Sequence, residues 1–255
     1  MSELEIRKAV KERYSNLATS SSNSSCCDTG GGVCCDDSGL IALNVAVPAE
    51  ASSINAGCGS PISLISLKEG DVVLDLGSGG GIDVFRAAQL VGAKGYAIGV
   101  DATPEMVWRA RETREKYAPK YANAEFRLGE IEHLPVESGT VDYVISNCVI
   151  NLSPDKLAVF KDAFRALKPG GTFAVADITL QTEIPESERK DMDSWSRCLA
   201  GALTDEDYRA KLLGAGFAGV RIEHISDSNI GEYQFKYYSS HITAKKPDGE
   251  SSRAR

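Results

Sequence analysis

No apolar run in these 255 residues approaches the roughly 20 needed to cross a bilayer, so no membrane partner is expected. Positive charge is also short: 28 Lys and Arg stand against 36 Asp and Glu, a net charge of −8. Phosphate neutralisation needs clustered Lys and Arg, so nucleic acid is not an expected partner. The opening Ser2-Glu3-Leu4-Glu5-Ile6-Arg7-Lys8 is charged from the start. It reads as neither a signal nor a transit peptide, and the expected location is cytoplasmic. Standard zinc spacing is missing as well. Seven cysteines fall as two adjacent pairs, Cys26-Cys27 and Cys34-Cys35, and as isolated Cys58, Cys148 and Cys198; adjacent cysteines match no usual zinc motif. No internal repeat is present. An odd cysteine count without an export signal favours metal binding or redox chemistry over a disulfide framework.

Hydrophobic content of 42% with 25% charged residues suits a soluble globular chain of one α/β domain with modest additions. Leu4, Val10, Tyr14 and Leu17 recur at roughly helical spacing, predicting a short amphipathic helix over 3–18. Residues 19–39 are polar and Gly/Ser-rich, and cannot bury enough apolar surface to offset chain entropy. From Val72 strands and helices alternate. Strands are expected at 72–76, 96–100, 125–128, 141–145 and 172–178. Helices are expected at 82–91, from Pro104, and at 155–167. That alternation predicts a doubly wound, mostly parallel sheet. A helix around 192–203 follows, then one capped by Thr204, and two late strands, 220–225 and 237–244, pairing antiparallel at the sheet edge. The resulting division is 1–50 for the helix and cysteine-rich arm, and 51–180 for a Rossmann-like domain. Residues 181–246 complete sheet and substrate site, and 247–255 form a disordered tail.

Asp75-Leu76-Gly77-Ser78-Gly79-Gly80-Gly81 lies between a strand and a helix. Glycines there permit tight turning and close backbone approach to a ligand at a helix N-terminus. Dinucleotide binders place G-x-G-x-x-G at the same point, so the turn alone is weakly specific. Asp101 closes the second strand, where ribose hydroxyls are expected. A third segment, Gly129-Glu130-Ile131-Glu132-His133-Leu134-Pro135, follows the third strand. The first segment resembles the nucleotide-binding signature of class I methyltransferases, and the third resembles their adenine-contacting loop. The resemblance implies S-adenosylmethionine as cofactor. It implies that Asp75 and Gly77 lie near the methionine part, Asp101 on ribose, and Glu130 with Ile131 beside adenine. Ser78, Gly79, Ala102, Met106 and Asn147 join them as implied contacts. The three histidines, His133, His224 and His241, lack metal-ligand spacing and receive no catalytic role.

Ligands of open α/β sheets bind beyond the carboxyl ends of the strands. Cys148 follows strand four in Ser146-Asn147-Cys148-Val149-Ile150-Asn151-Leu152. Cys58 precedes strand one in Gly57-Cys58-Gly59-Ser60-Pro61, and Cys198 follows strand five in Cys198-Leu199-Ala200-Gly201-Ala202-Leu203. Three isolated cysteines are thus expected to converge on one rim. Their surroundings closely resemble arsenite S-adenosylmethionine methyltransferases over roughly residues 50–225. The resemblance implies that Cys58, Cys148 and Cys198 bind trivalent arsenic, supplied as arsenite or its thiol conjugates. Soft trivalent arsenic suits three thiolates and needs no general base, and none is evident. The resemblance also implies a disulfide between an N-terminal cysteine and Cys58, with Cys34 or Cys35 favoured. Recovery would then require a thiol reductant such as thioredoxin or glutathione. Ile54-Asn55-Ala56 and Trp195-Ser196-Arg197 depart from the expected pattern. Two other functions fit parts of the sequence: a quinone-biosynthesis type C- or O-methyltransferase, and a non-catalytic thiol sensor of arsenic.

Overall fold

The computed structural model describes residues 2–19, 45–52, 59–191, 195, 198–227 and 235–249. Helix α1 (Glu3–Thr19) and a single turn, α2 (Ala49–Ser52), precede the sheet. The alternation then runs β1 (Val72–Leu76), α3 (Ile82–Leu90), β2 (Tyr96–Asp101), α4 (Pro104–Lys116), β3 (Ala124–Leu128), β4 (Val141–Asn147), α5 (Lys156–Ala166) and β5 (Leu167–Leu180). A short α6 (Glu186–Arg189), β6 (Leu203–Thr204), α7 (Asp205–Gly214), β7 (Ala218–Asp227) and β8 (Tyr237–Lys245) complete it. Among the described residues the strands form one eight-stranded sheet in the order β3-β2-β1-β4-β5-β8-β7, with β6 beside β5. The pairs from β3 through β5 and the β5–β6 pair are parallel. Strand β8 runs antiparallel to β5 and to β7, as expected for the late strands.

Buried apolar side chains on both faces explain why the parallel strands read as short continuous hydrophobic runs. On one face Phe85 sits edge-on to Tyr121 and tilted against Phe126. On the other, Phe160 packs edge-on to Phe173 and against Tyr208. Phe85 and Phe160 are fully buried, and each contributes about 1.5–3 kcal/mol by leaving water. Asp155 caps α5 by accepting from the Ala158 amide, and Thr204 caps α7 by accepting from the Asp207 amide. No helix among the described residues is long and apolar enough to cross a membrane.

Two expectations need correction. The strand expected at 172–178 runs from Leu167 to Leu180, because β4 pairs with Leu167 before a register shift and β8 pairs along Thr172–Leu180. Of the helix expected around 192–203, Trp195 is helical, whereas 198–201 form a turn and Leu203 opens β6. The segment's Ala/Leu-rich composition favours a helix, but tertiary contacts override that preference. Gly201 packs so closely on the Asn151 carbonyl that a Cβ would collide with it. The cysteine-rich stretch at 20–44 lies outside the described residues, as do 250–255 of the expected tail.

Candidate active site

The parallel strands end along one edge, and a cleft opens there. The Gly77 and Ser78 amides donate to the Val100 carbonyl at 2.8 and 3.1 Å, folding the loop after β1 across the end of β2. Gly77 has φ +69°, and a Cβ there would run into the Val149 side chain, so the loop requires glycine at this point. Asp101 ties two loops together. Its Oδ2 accepts from the Gly79 amide at 2.9 Å, and its Oδ1 accepts from the Thr103 amide at 2.8 Å.

Every cofactor contact implied by the sequence lines this cleft. Asp75, Gly77, Ser78 and Gly79 come from the end of β1 and its loop. Asp101, Ala102 and Met106 come from the end of β2 and α4. Glu130 and Ile131 follow β3, and Asn147 with Cys148 closes β4. A cavity of about 130 Å³ that opens to solvent lies between them. The floor of the cleft is acidic and buried. Burial pushes Asp75 well above the usual carboxylate range, with the negative charges of Asp83 and Asp101 adding to the shift. Burial also raises Asp83, against the opposing Arg86 guanidinium 3.3 Å away. Asp101 is raised by burial despite its two amide donors. A guest bearing positive charge relieves each of these shifts, so the residues present fit a sulfonium cofactor. No histidine lines the cleft.

Some lining residues were not anticipated from sequence. Arg7, Val10, Lys11 and Tyr14 of α1 roof the cleft. The Arg7 guanidinium pairs with Glu130 at 3.1 Å and with Glu132 at 2.9 Å, and Lys11 Nζ pairs with Glu130 at 2.6 Å. Glu132 also accepts from the Ser153 hydroxyl at 2.5 Å. The helical spacing of Val10 and Tyr14 is a signal for a buried face, but not for which surface it covers. Asp83 was also missed, since an acidic residue in a first helical turn reads equally well as a helix-dipole partner.

Cys148 and Cys198 come together beside the cleft. The Cys148 amide donates to the Ala176 carbonyl at 2.8 Å, fastening it to β5. The Cys198 thiol donates to the Cys148 carbonyl, with Sγ 2.8 Å from the oxygen. Their φ values are +58° and +68°, and among the described residues no other non-glycine residue has positive φ. Such backbone costs about 1–3 kcal/mol per residue and persists where surrounding structure enforces it, often at functional sites. Both cysteines are buried in an apolar cluster with Leu152, Ile178, Leu180 and Leu199. Cys198 is a thiol. Cys148 is disulfide-bonded. Cys58 lies outside the described residues, as do Cys26, Cys27, Cys34 and Cys35. Gly59, the residue after Cys58, is held at the rim: its carbonyl accepts from Asn147 Nδ2 at 2.7 Å. Among the described residues no group of three His, Cys, Asp or Glu could hold a metal ion.

Below the cysteines lies a buried polar group. Asn151 Nδ2 donates to Asp177 Oδ1 and to the Ile178 carbonyl, both at 2.8 Å. Burial pushes Asp177 up to about 7. Lys156 Nζ donates to the Ser153 carbonyl at 2.7 Å, and burial pulls its pKa down to about 8.

The arrangement has known counterparts. A methyltransferase-domain family model matches residues 67–228. An arsenite methyltransferase of Halobacterium salinarum is 43% identical across 95% of this chain and 67% of its own length. One from Aquipseudomonas alcaligenes is 38% identical across 80% of this chain and 62% of its own. The chain therefore spans about two thirds or less of these curated relatives. An arsenic(III) S-adenosylmethionine methyltransferase from Chlamydomonas reinhardtii superposes with a TM-score of 0.73. It is 35% identical, over 84% of this chain and 75% of that one. The domain match, the sheet order and an identity of 43% along nearly the whole chain show that it belongs to the arsenite methyltransferases, enzymes of the S-adenosylmethionine-dependent class I fold.

Proposed function

We propose that this chain methylates trivalent arsenic held by the thiolates of Cys58, Cys148 and Cys198, using S-adenosylmethionine bound in the cleft. The observation that carries this reading is the meeting of Cys148 and Cys198, both in left-handed backbone, at the edge where the cofactor loops end. Gly59 beside Cys58, pinned by Asn147, supports the third ligand. Bound S-adenosylmethionine supplies an electrophilic methyl group on a sulfonium. Asp101 receives the ribose, Glu130 and Ile131 border adenine, and Asp75 with Gly77 faces the methionine part. Three thiolates satisfy arsenic and leave its lone pair unshared, so no base is needed to create a nucleophile. The apolar wall around the cysteines excludes water, and catalysis rests on positioning and desolvation.

Methylation raises arsenic formally by two electrons. A thiolate outside the triad that attacks the sulfur of one arsenic-bound cysteine forms a disulfide as that arsenic–sulfur bond breaks and leaves its electron pair on arsenic, and an external thiol such as thioredoxin or glutathione must then reduce the disulfide. The disulfide at Cys148 supports a site that cycles through an oxidised form. Cys34 or Cys35 is the proposed partner of Cys58. The test is mass analysis of products after incubating reduced protein with arsenite, labelled methyl donor and thiol. Methylated arsenicals should form only with arsenite present. Cys148→Ser and Cys198→Ser should each lower turnover at least ~10-fold, because a hydroxyl is a poor ligand for a soft ion. Full arsenite turnover in both variants would refute the reading.

A further inference from the structure

Arsenic ligation demands more than two cysteines in the same neighbourhood. Ligand atoms must be held to within about 0.5 Å by groups that are themselves fixed. Cys148 meets that demand through its place at the end of β4 and its amide bond to Ala176. Cys198 has no such strand beneath it. It sits in a turn, 50 residues along the chain from Cys148.

Trp195 supplies what the strand does not. Its carbonyl accepts from the Cys198 amide at 3.0 Å, which ties the two residues together. Its indole Nε1 donates to the Leu152 carbonyl at 3.2 Å. Leu152 ends the short 3-10 turn Ile150–Leu152, which begins two residues after Cys148. The Lys156 ammonium lies 5.4 Å from the centre of the indole ring while donating to the Ser153 carbonyl. On the far side of Cys198, Gly201 lies against the Asn151 carbonyl and the indole edge, with no room for a Cβ. Trp195 before Cys198 and Gly201 after it are thus docked on neighbouring residues, Leu152 and Asn151. Asn151 is itself anchored to β5 through Asp177 and Ile178. Trp195 does not line the cofactor cleft.

We propose that Trp195 is a positioning residue for arsenic: its indole N–H, bridged to Leu152, sets where the Cys198 sulfur stands relative to Cys148. The proposal rests on the three-thiolate reading above. It also accounts for the left-handed backbone at Cys198. A turn free to relax would move to negative φ and swing the thiol away from the Cys148 carbonyl. The indole bridge and the close Gly201 contact prevent that movement.

The test is Trp195→Phe, which keeps an aromatic ring near Lys156 and removes the N–H donor together with the five-membered ring of the indole. Reduced wild type and variant are loaded with arsenite and compared by arsenic X-ray absorption. Wild type should show three sulfur neighbours, and the variant should show fewer, with oxygen in place of sulfur. Losing one buried hydrogen bond and orphaning its acceptor should raise the KM for arsenite about tenfold. S-adenosylmethionine affinity by calorimetry should stay unchanged, because the cleft does not include this residue. A variant with three sulfurs and wild-type KM overturns the proposal, even if its Tm falls. Fewer than three sulfurs in wild type itself overturns the three-thiolate reading and this proposal with it. Gly201→Ala, which forces the same turn away from Asn151, should also lose sulfur; three retained sulfurs in that folded variant would count against the docking argument.

Discussion

Asp177, within β5 beneath the cysteines, carries a carboxyl that burial makes hard to ionise, although the Ile178 amide, the Lys156 charge and Asn151 all oppose the shift. Its pKa stands at about 7 against an ordinary 3.8. Between those values the folded chain binds more protons at this group than the unfolded chain does. Stability from this group is therefore fully present below about pH 4 and is lost as pH rises toward 7. Asp177→Asn removes the titration. The stability difference between wild type and variant should move against wild type by on the order of 2–4 kcal/mol between pH 4 and 7. Below pH 4 the difference should be flat. Chemical denaturation of both proteins across that range checks it, and parallel profiles would show that Asp177 stays ionised. Lys156 works in the opposite sense: its pKa is lowered to about 8 by burial, so its unfavourable contribution eases as pH climbs above 8. At the same scale, the positive φ of Cys148 and Cys198 was not legible in the sequence. Only glycine advertises that conformation, and a cysteine adopts it when neighbours distant in the chain compel it.

Helix α1 shows what is legible for an element and what is not. Its spacing marked Val10 and Tyr14 as one face, and that face was found covering the cleft. The charges around them carry no such mark: Arg7 and Lys11 look like solvated residues until Glu130 and Glu132 stand opposite. The partners are more than 100 residues away, beyond any local pattern. Strands β1 to β4 were readable because each is a buried run bounded by turns. The ends of β5 were not, because β4 pairs with it at Leu167, before the glycines at 170 and 171, and antiparallel β8 carries it on to Leu180. The segment around Cys198 misled because its composition is helical while its contacts are not. The roof can be probed by two substitutions. The Lys11 pair is nearly half exposed, and exposed pairs contribute little, about 0–1 kcal/mol. Arg7 also faces Glu132, whose side chain is only 2% exposed, so its removal leaves a buried charge without its cation. Arg7→Ala should therefore weaken S-adenosylmethionine binding about 3- to 10-fold, mainly through faster release. Lys11→Ala should change it less than about threefold. Stopped-flow displacement of bound cofactor measures both, and equal release rates for all three proteins would detach α1 from cofactor retention.

For the whole molecule, the question is how a cysteine-rich segment outside the described residues would serve a site at the sheet edge. Both of its flanks are gathered by one side chain. Arg109 of α4 donates to the Ala18 carbonyl at 3.1 Å and to the Glu50 carbonyl at 3.4 Å. Ala18 and Glu50 therefore lie beside the same helix, and α2 brings Ala51 against Gly80 in the cofactor loop. Ten residues separate Cys35 from Val45, a span of up to roughly 35 Å when extended. A domain of this size has a radius of gyration near 18 Å, so the site lies within reach. A disulfide needs Cα atoms within roughly 7 Å, which that length of chain permits. If Cys34 or Cys35 takes up Cys58 after methyl transfer, Cys34→Ser/Cys35→Ser should bind arsenite as wild type does, because neither residue belongs to the proposed triad. One equivalent of methyl should transfer at the normal rate in a single turnover. Steady-state turnover with thiol should then fall at least ~10-fold, since the methylated arsenic lacks the thiolate that closes a disulfide with Cys58 and returns two electrons to it. Single-turnover and multiple-turnover product analysis separate the two steps. Undiminished steady-state turnover would assign recycling to other thiols and leave Cys34 and Cys35 outside the reaction.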